Sequence, residues 1–176
     1  SLTSLVTFFS YFGGKIFRAE KIDTHGGSLR IYIKKNLNAK IEKNVKDLLK
    51  EEEKFGIKDY KIYQEFAKKV YKIRDKVRKN ISDLKRNNNK IVGYGSPAKA
   101  TTALNFFGIS NEIDCIVEDN KLKQGKFLPG MKIPIISKED LKKKADYLLV
   151  LAWNFFDEIK KKNGDLARKF ITIKDL

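Results

Sequence analysis

The fold is decided by Lys90-Ile91-Val92-Gly93-Tyr94-Gly95-Ser96-Pro97-Ala98-Lys99. A short apolar run, Ile91 to Tyr94, reads as a buried strand, and the residues from Ser96 to Phe107 read as an amphipathic helix closed by Gly108. Between them lies G-x-G-x-x-A, a variant of the dinucleotide-binding fingerprint. Gly93 permits the tight turn, Gly95 lets a phosphate approach the backbone, and Ala98 keeps helix and sheet close. Ser96 is the expected helix cap and Pro97 the expected first helical residue, where its missing N–H has no consequence. The helix N-terminus then faces an anion, with Lys99 adding a full charge in the first turn.

Working downstream, Asp114–Glu118 reads as a second strand, with Asp119 at its end. Asp119 lies somewhat beyond the roughly 20 residues usual for a ribose-binding acid. A loop with Gly125, Pro129 and Gly130 leads to the extended Ile133–Ile136. Ser137 is then expected to cap a helix running to Lys144, with Glu139 and Asp140 in its first turn. Residues 147–152 form the most apolar strand, a helix covers 155–162, and 169–173 is a final strand. Apolar strands alternating with helices predict an α/β fold: a Rossmann-like, mostly parallel sheet with helices on both faces. Trp153 and Asn154 follow the 147–152 strand, at the sheet end where such folds bind ligands. Trp153 offers a flat surface, and Asn154 both donates and accepts hydrogen bonds.

Upstream, the pattern is different. Residues 1–14 place Leu2, Leu5, Val6, Phe9 and Phe12 at helical spacing before Gly13-Gly14. Two short strands, 15–22 and 28–34, flank a turn-like Asp23–Gly27, and helices are expected over 41–54 and 59–87. The long second helix carries one apolar stripe and also allows a coiled-coil pairing between two copies, a homo-oligomer. Asn87-Asn88-Asn89 ends it. The expected organisation is therefore a helical and hairpin segment over 1–89 and a nucleotide-binding domain over 90–176.

The formal net charge of +16 raises the question of nucleic acid. The cations are almost all lysine, with arginine only at Arg18, Arg30, Arg74, Arg78, Arg86 and Arg168, and arginine is the better reader of phosphates and base edges. Lysine spread over exposed faces reads as compositional bias, so nucleic acid is not the expected partner. The single cysteine, Cys115, excludes an internal disulfide, and no zinc spacing is present. No apolar run approaches the roughly 20 residues of a membrane span, so a cytoplasmic protein without a membrane partner is expected. The start, Ser1-Leu2-Thr3-Ser4-Leu5, lacks a basic leader and an initiator Met, and reads as a piece of a longer protein. His25, the only histidine, sits beside Gly26-Gly27 with no carboxylate partner readable from spacing; no catalytic acid–base pair emerges.

Several separated motifs share an order. They are Thr24-His25-Gly26-Gly27-Ser28-Leu29-Arg30, Gly93–Lys99, Asp119-Asn120 with Lys123-Gln124-Gly125, Pro129-Gly130 with Ile133-Pro134-Ile135, and Ala152-Trp153-Asn154 with Glu158-Ile159. The sequence thereby resembles the C-terminal domain of S-adenosylmethionine-dependent sugar C-methyltransferases, which methylate a ring carbon of nucleotide-linked deoxy-keto-sugars. The resemblance implies that zinc, S-adenosylmethionine and a catalytic Tyr-x-Glu-His stretch belong to a preceding methyltransferase domain of the same protein, and none to this chain. It also implies that this domain helps to bind the nucleotide sugar, through Gly93, Tyr94, Gly95, Ser96, Pro97, Ala98, Lys99, Asp119, Asn120, Lys123, Trp153, Asn154 and His25. Ala100 stands where the family usually has glycine. The glycine turn alone leaves an NAD(P)-binding oxidoreductase fragment open, and the basic 59–88 helix leaves a nucleic-acid module or a scaffold open.

Overall fold

A computed structural model describes residues 1–36 and 38–176, with the side chain of His25 outside the described residues. The chain forms two compact units, Ser1–Ala67 and Lys68–Leu176.

In the first unit, helix α1 (Leu2–Tyr11) precedes an antiparallel hairpin, β1 (Lys15–Ile22) and β2 (Ser28–Lys34), and helix α2 (Lys43–Phe55). Leu2, Ile16, Ala19 and Val45 form a small core. Glu52 of α2 caps α1, accepting from the Leu2 and Thr3 amides at 2.6 and 2.7 Å. A carboxylate at a helix N-terminus satisfies donors that have no partner inside the helix.

Helix α3 (Tyr60–Arg86) is about 40 Å long and ends at the asparagine run. The division between units falls within it. Its apolar stripe is used unevenly: Val77 and Ile81 are buried, whereas Phe66 and Ile73 are exposed.

The second unit is built on five parallel strands: β3 (Ile91–Tyr94), β4 (Cys115–Val117), β5 (Ile135–Ile136), β6 (Ala145–Val150) and β7 (Ala167–Ile171). Their spatial order is β5-β4-β3-β6-β7. Alternation of side chains across the sheet sorts the core into two layers. Ile91, Ile116, Leu149 and Ile171 pack with Val77 and Ile81 of α3 and with Ala100 and Leu104 of α4 (Ala98–Phe107). Val92, Val117, Leu148 and Val150 pack on the other face with Ile159 of α5 (Phe156–Lys162). Helices therefore cover both faces, as the alternating pattern requires.

Two local expectations are corrected. No helix forms over 137–144; the segment makes a Ser137-capped turn, with the Asp140 amide donating to Ser137 Oγ at 3.2 Å. Leu141 is its only large apolar side chain and Lys142-Lys143-Lys144 follow, so no apolar face offsets the cost of helix nucleation. Ser96 does not cap α4. Pro97 is the N-cap, without a side-chain hydrogen bond, because the Ser96 hydroxyl donates elsewhere.

Candidate functional site

The order of the strands reverses between β3 and β6: the chain leaves β3 toward β4 and β5, then returns to β6 on the other side. A crevice opens at the carboxyl ends of strands at such a switch point. Here it is a cavity of about 260 Å3, lined by Tyr94, Gly95, Glu118, Asp119, Glu158 and Asn163 among others.

The glycine turn fits its surroundings closely. A Cβ on Gly93 would come within 2.9 Å of Ile116 Cγ1 and 3.2 Å of Leu151 Cδ1, so any side chain here presses on its neighbours across the sheet. Gly95 has a φ of +82°, which favours glycine, and its amide donates to the Val117 carbonyl at 2.8 Å.

Glu118 organises the turn, and the sequence reading did not single it out. Its carboxylate accepts from the Ser96 amide at 2.8 Å, the Ser96 hydroxyl at 2.5 Å and the Asn120 amide at 3.1 Å. Lys123 Nζ lies 3.5 Å from the same carboxylate and donates to the Ser96 carbonyl at 3.0 Å. Burial alone would raise the Glu118 pKa. The Ser96 hydroxyl, the Asn120 and Ser96 amides and the Lys123 charge outweigh it and hold the acid below the ordinary carboxylate range. One amide of the glycine turn is thus engaged by the protein's own anion rather than free. The signal was available: strand alternation puts Glu118 on the side of Ile116, toward the glycine turn, and Asp119 on the opposite side.

On that opposite side, the Tyr94 hydroxyl donates to the Asp119 carboxylate, 3.0 Å from each oxygen, and accepts from Asn163 Nδ2 at 3.1 Å. Burial, reinforced by Asp119, pushes the Tyr94 hydroxyl up to about 12. Lys162 stands 3.7 Å from Asp119. At the head of α4, Lys99 Nζ lies 4.4 Å from the centre of the Trp153 ring, a cation–π arrangement. Trp153 and Asn154 belong to a single 3-10 turn after β6, and Asn154 is exposed. The Asn120 side chain closes a local turn by accepting from the Leu122 amide at 3.0 Å.

The structure thus brings Tyr94, Gly95 and Asp119 to one cavity, Ser96 and Lys123 to the Glu118 carboxylate, and Lys99 to Trp153. Ala98 is exposed in the first turn of α4, so it does not hold the helix against the sheet as expected; the buried Ala100 takes that place. The side chain of His25 lies outside the described residues. Among the described residues no group of three His, Cys, Asp or Glu side chains could hold a metal ion, and no helix is long and apolar enough to cross a membrane.

A parallel sheet with helices on both faces and a glycine turn at its switch point defines a Rossmann-like α/β domain. The sequence profile of the C-methyltransferase C-terminal domain matches residues 23–172, and the chain belongs to that family. It is also 34% identical, over 162 residues and 90% of its length, to the C-methyltransferase NovU of Streptomyces niveus. The chain spans 39% of the length of that relative.

Proposed function

We propose that this domain holds the nucleotide-sugar substrate of an S-adenosylmethionine-dependent C-methyltransferase, with the methyl donor and zinc bound by a preceding domain of the same protein. The observation that carries this reading is the placement of Lys99 and Lys123 on one glycine turn at the sheet's switch point, in a chain of this family. Lys99 and the first amides of α4 take the diphosphate, while Lys123 braces the turn from behind. The crevice beside it is lined by the acidic residues Asp119 and Glu158, the Glu118 carboxylate being turned into the glycine turn. Such a lining repels phosphate and accepts hydrogen bonds from sugar hydroxyls, with Asp119, already polarised by Tyr94 and Lys162, the principal acceptor.

The chemistry served is carbon methylation. A keto group acidifies the adjacent C–H, a base removes the proton, and the resulting enolate attacks the sulfonium methyl. This chain's own part is to fix the substrate's position, which lowers the entropic cost of attack geometry. The glycine turn alone serves an NAD(P)-binding oxidoreductase equally well, and the family match is what favours the methyltransferase reading.

Calorimetry of the folded chain with dTDP- and GDP-sugars tests the proposal. Binding is expected, and Lys99→Glu should weaken it at least about tenfold, since a reversed charge near a phosphate is worth more than about 1.4 kcal/mol at intermediate dielectric. Failure of every nucleotide sugar to bind would sink it.

A further inference from the structure

A second cavity, also of about 260 Å3, lies on the α4 side of the glycine turn. Its lining includes Ser96, Thr101, Leu122, Lys123, Lys126 and Phe127. Whole-ligand pockets usually measure about 300–1,000 Å3. Neither this cavity nor the crevice is large enough for a complete nucleotide sugar; each suits one end of it. Ser96, between the two glycine-turn neighbours Gly95 and Pro97, lines one cavity and Gly95 the other.

Phe127 is 63% exposed and Leu122 79% exposed at the rim of this cavity. The exposure of Phe127 follows from the pairing of its backbone. The Gly125 amide donates to the Ile135 carbonyl at 2.9 Å, the Ile135 amide to the Lys126 carbonyl at 2.8 Å, and the Leu128 amide to the Ile133 carbonyl at 2.8 Å. Phe127 itself bridges to Pro134. In extended backbone neighbouring side chains point opposite ways, so burial of Leu128 in the core turns Phe127 outward. The fold needs no ring at that position; a polar side chain would serve the hairpin equally.

We propose that this cavity is a nucleobase site, with the Phe127 ring as its stacking platform. Leu122 supplies a further apolar surface, Thr101 a hydroxyl for the base edge, and Lys126 a charge on the phosphate side. The proposal rests on the nucleotide-sugar reading and assigns its ends: base on the α4 side, diphosphate across the turn, sugar in the crevice beside Asp119. A ring face stacks on any base, so the platform fixes the ligand class rather than its sequence.

The test is titration of the whole chain with TDP, UDP and GDP, and with pyrophosphate as the probe without a base. Phe127→Ala should lower nucleoside-diphosphate affinity about 5- to 100-fold. It should leave pyrophosphate affinity within about twofold, and Phe127→Tyr should restore nucleotide binding. Equal nucleotide affinity with and without the ring overturns the site while leaving the nucleotide-sugar reading intact. Equal loss of both probes also overturns it, because the ring would then be shaping the anion site. No binding of any nucleotide by the unsubstituted folded chain overturns both readings together.

Discussion

Replacing Glu118 by Ala removes the carboxylate around which the glycine turn is wrapped. Three donors lose their acceptor: the Ser96 amide, the Ser96 hydroxyl and the Asn120 amide. Hydrogen bonds to a charged group contribute about 1.5–3 kcal/mol each. Their sum overstates the loss, because the Glu118 side chain is 12% exposed and water can enter the space it leaves. A net destabilisation of about 3 kcal/mol is expected, within the range for breaking a buried charged contact. With a slope of about 1.5–2 kcal/mol/M for a domain of this size, the urea midpoint falls by about 1.5–2 M. Fluorescence of Trp153, the only tryptophan, reports unfolding of the unit that contains the turn. The pH dependence supplies a second arm. The folded-state pKa of Glu118 is lowered, so its stabilisation is complete above its ordinary value of 4.5 and is lost as the pH falls through the folded value. The unsubstituted chain should therefore lose stability more steeply than Glu118→Ala as the pH falls below 4.5, by at most about 1.4 kcal/mol per pH unit. A midpoint change under about 0.3 M at pH 7, or parallel pH profiles, would refute the account of the turn.

Tyr94→Phe should cost about 1–2 kcal/mol by urea titration, because buried Asn163 loses the acceptor for one N–H. In the unsubstituted chain one tyrosine should titrate near 12 by ultraviolet absorbance, and that signal should vanish in the variant. The sign is opposite to that of Glu118: a raised folded value stabilises fully below pH 10, and the stabilisation disappears as the pH rises through about 12. Gly93→Ala should destabilise by about 1–3 kcal/mol through overpacking against Ile116 and Leu151; a loss under about 0.5 kcal/mol in the same assay would mean that the strands yield easily.

Much of the second unit was legible in the sequence because its signals are local. The apolar runs at 91–94 and 147–152 and the paired glycines at 93 and 95 need no tertiary partner to be read. Residues 137–144 misled for the converse reason. A serine with acids after it is a helix start only if an apolar face follows, and Lys142-Lys143-Lys144 provide none. At the site, the residue types were readable but their partners were not. Ser96 reads as a cap because capping is a short-range rule, whereas its actual acceptor, Glu118, arrives from just beyond the neighbouring strand β4. The pairing of Lys99 with Trp153 likewise joins the segments that follow β3 and β6, which are adjacent only once the sheet has formed. Phe127 had no signal in spacing at all: its exposure follows from the hairpin bonds between 125–128 and 133–135.

The claim that the glycine turn is the seat of a nucleotide sugar is tested most directly by amide and indole resonances. Trp153 gives one indole N–H signal, free of overlap from any other tryptophan. Titration with a dTDP-sugar should shift that signal together with the amides of Ser96, Ala98 and Lys99, saturably and at one common affinity. Saturation elsewhere, with Trp153 and the α4 amides unmoved, would contradict it.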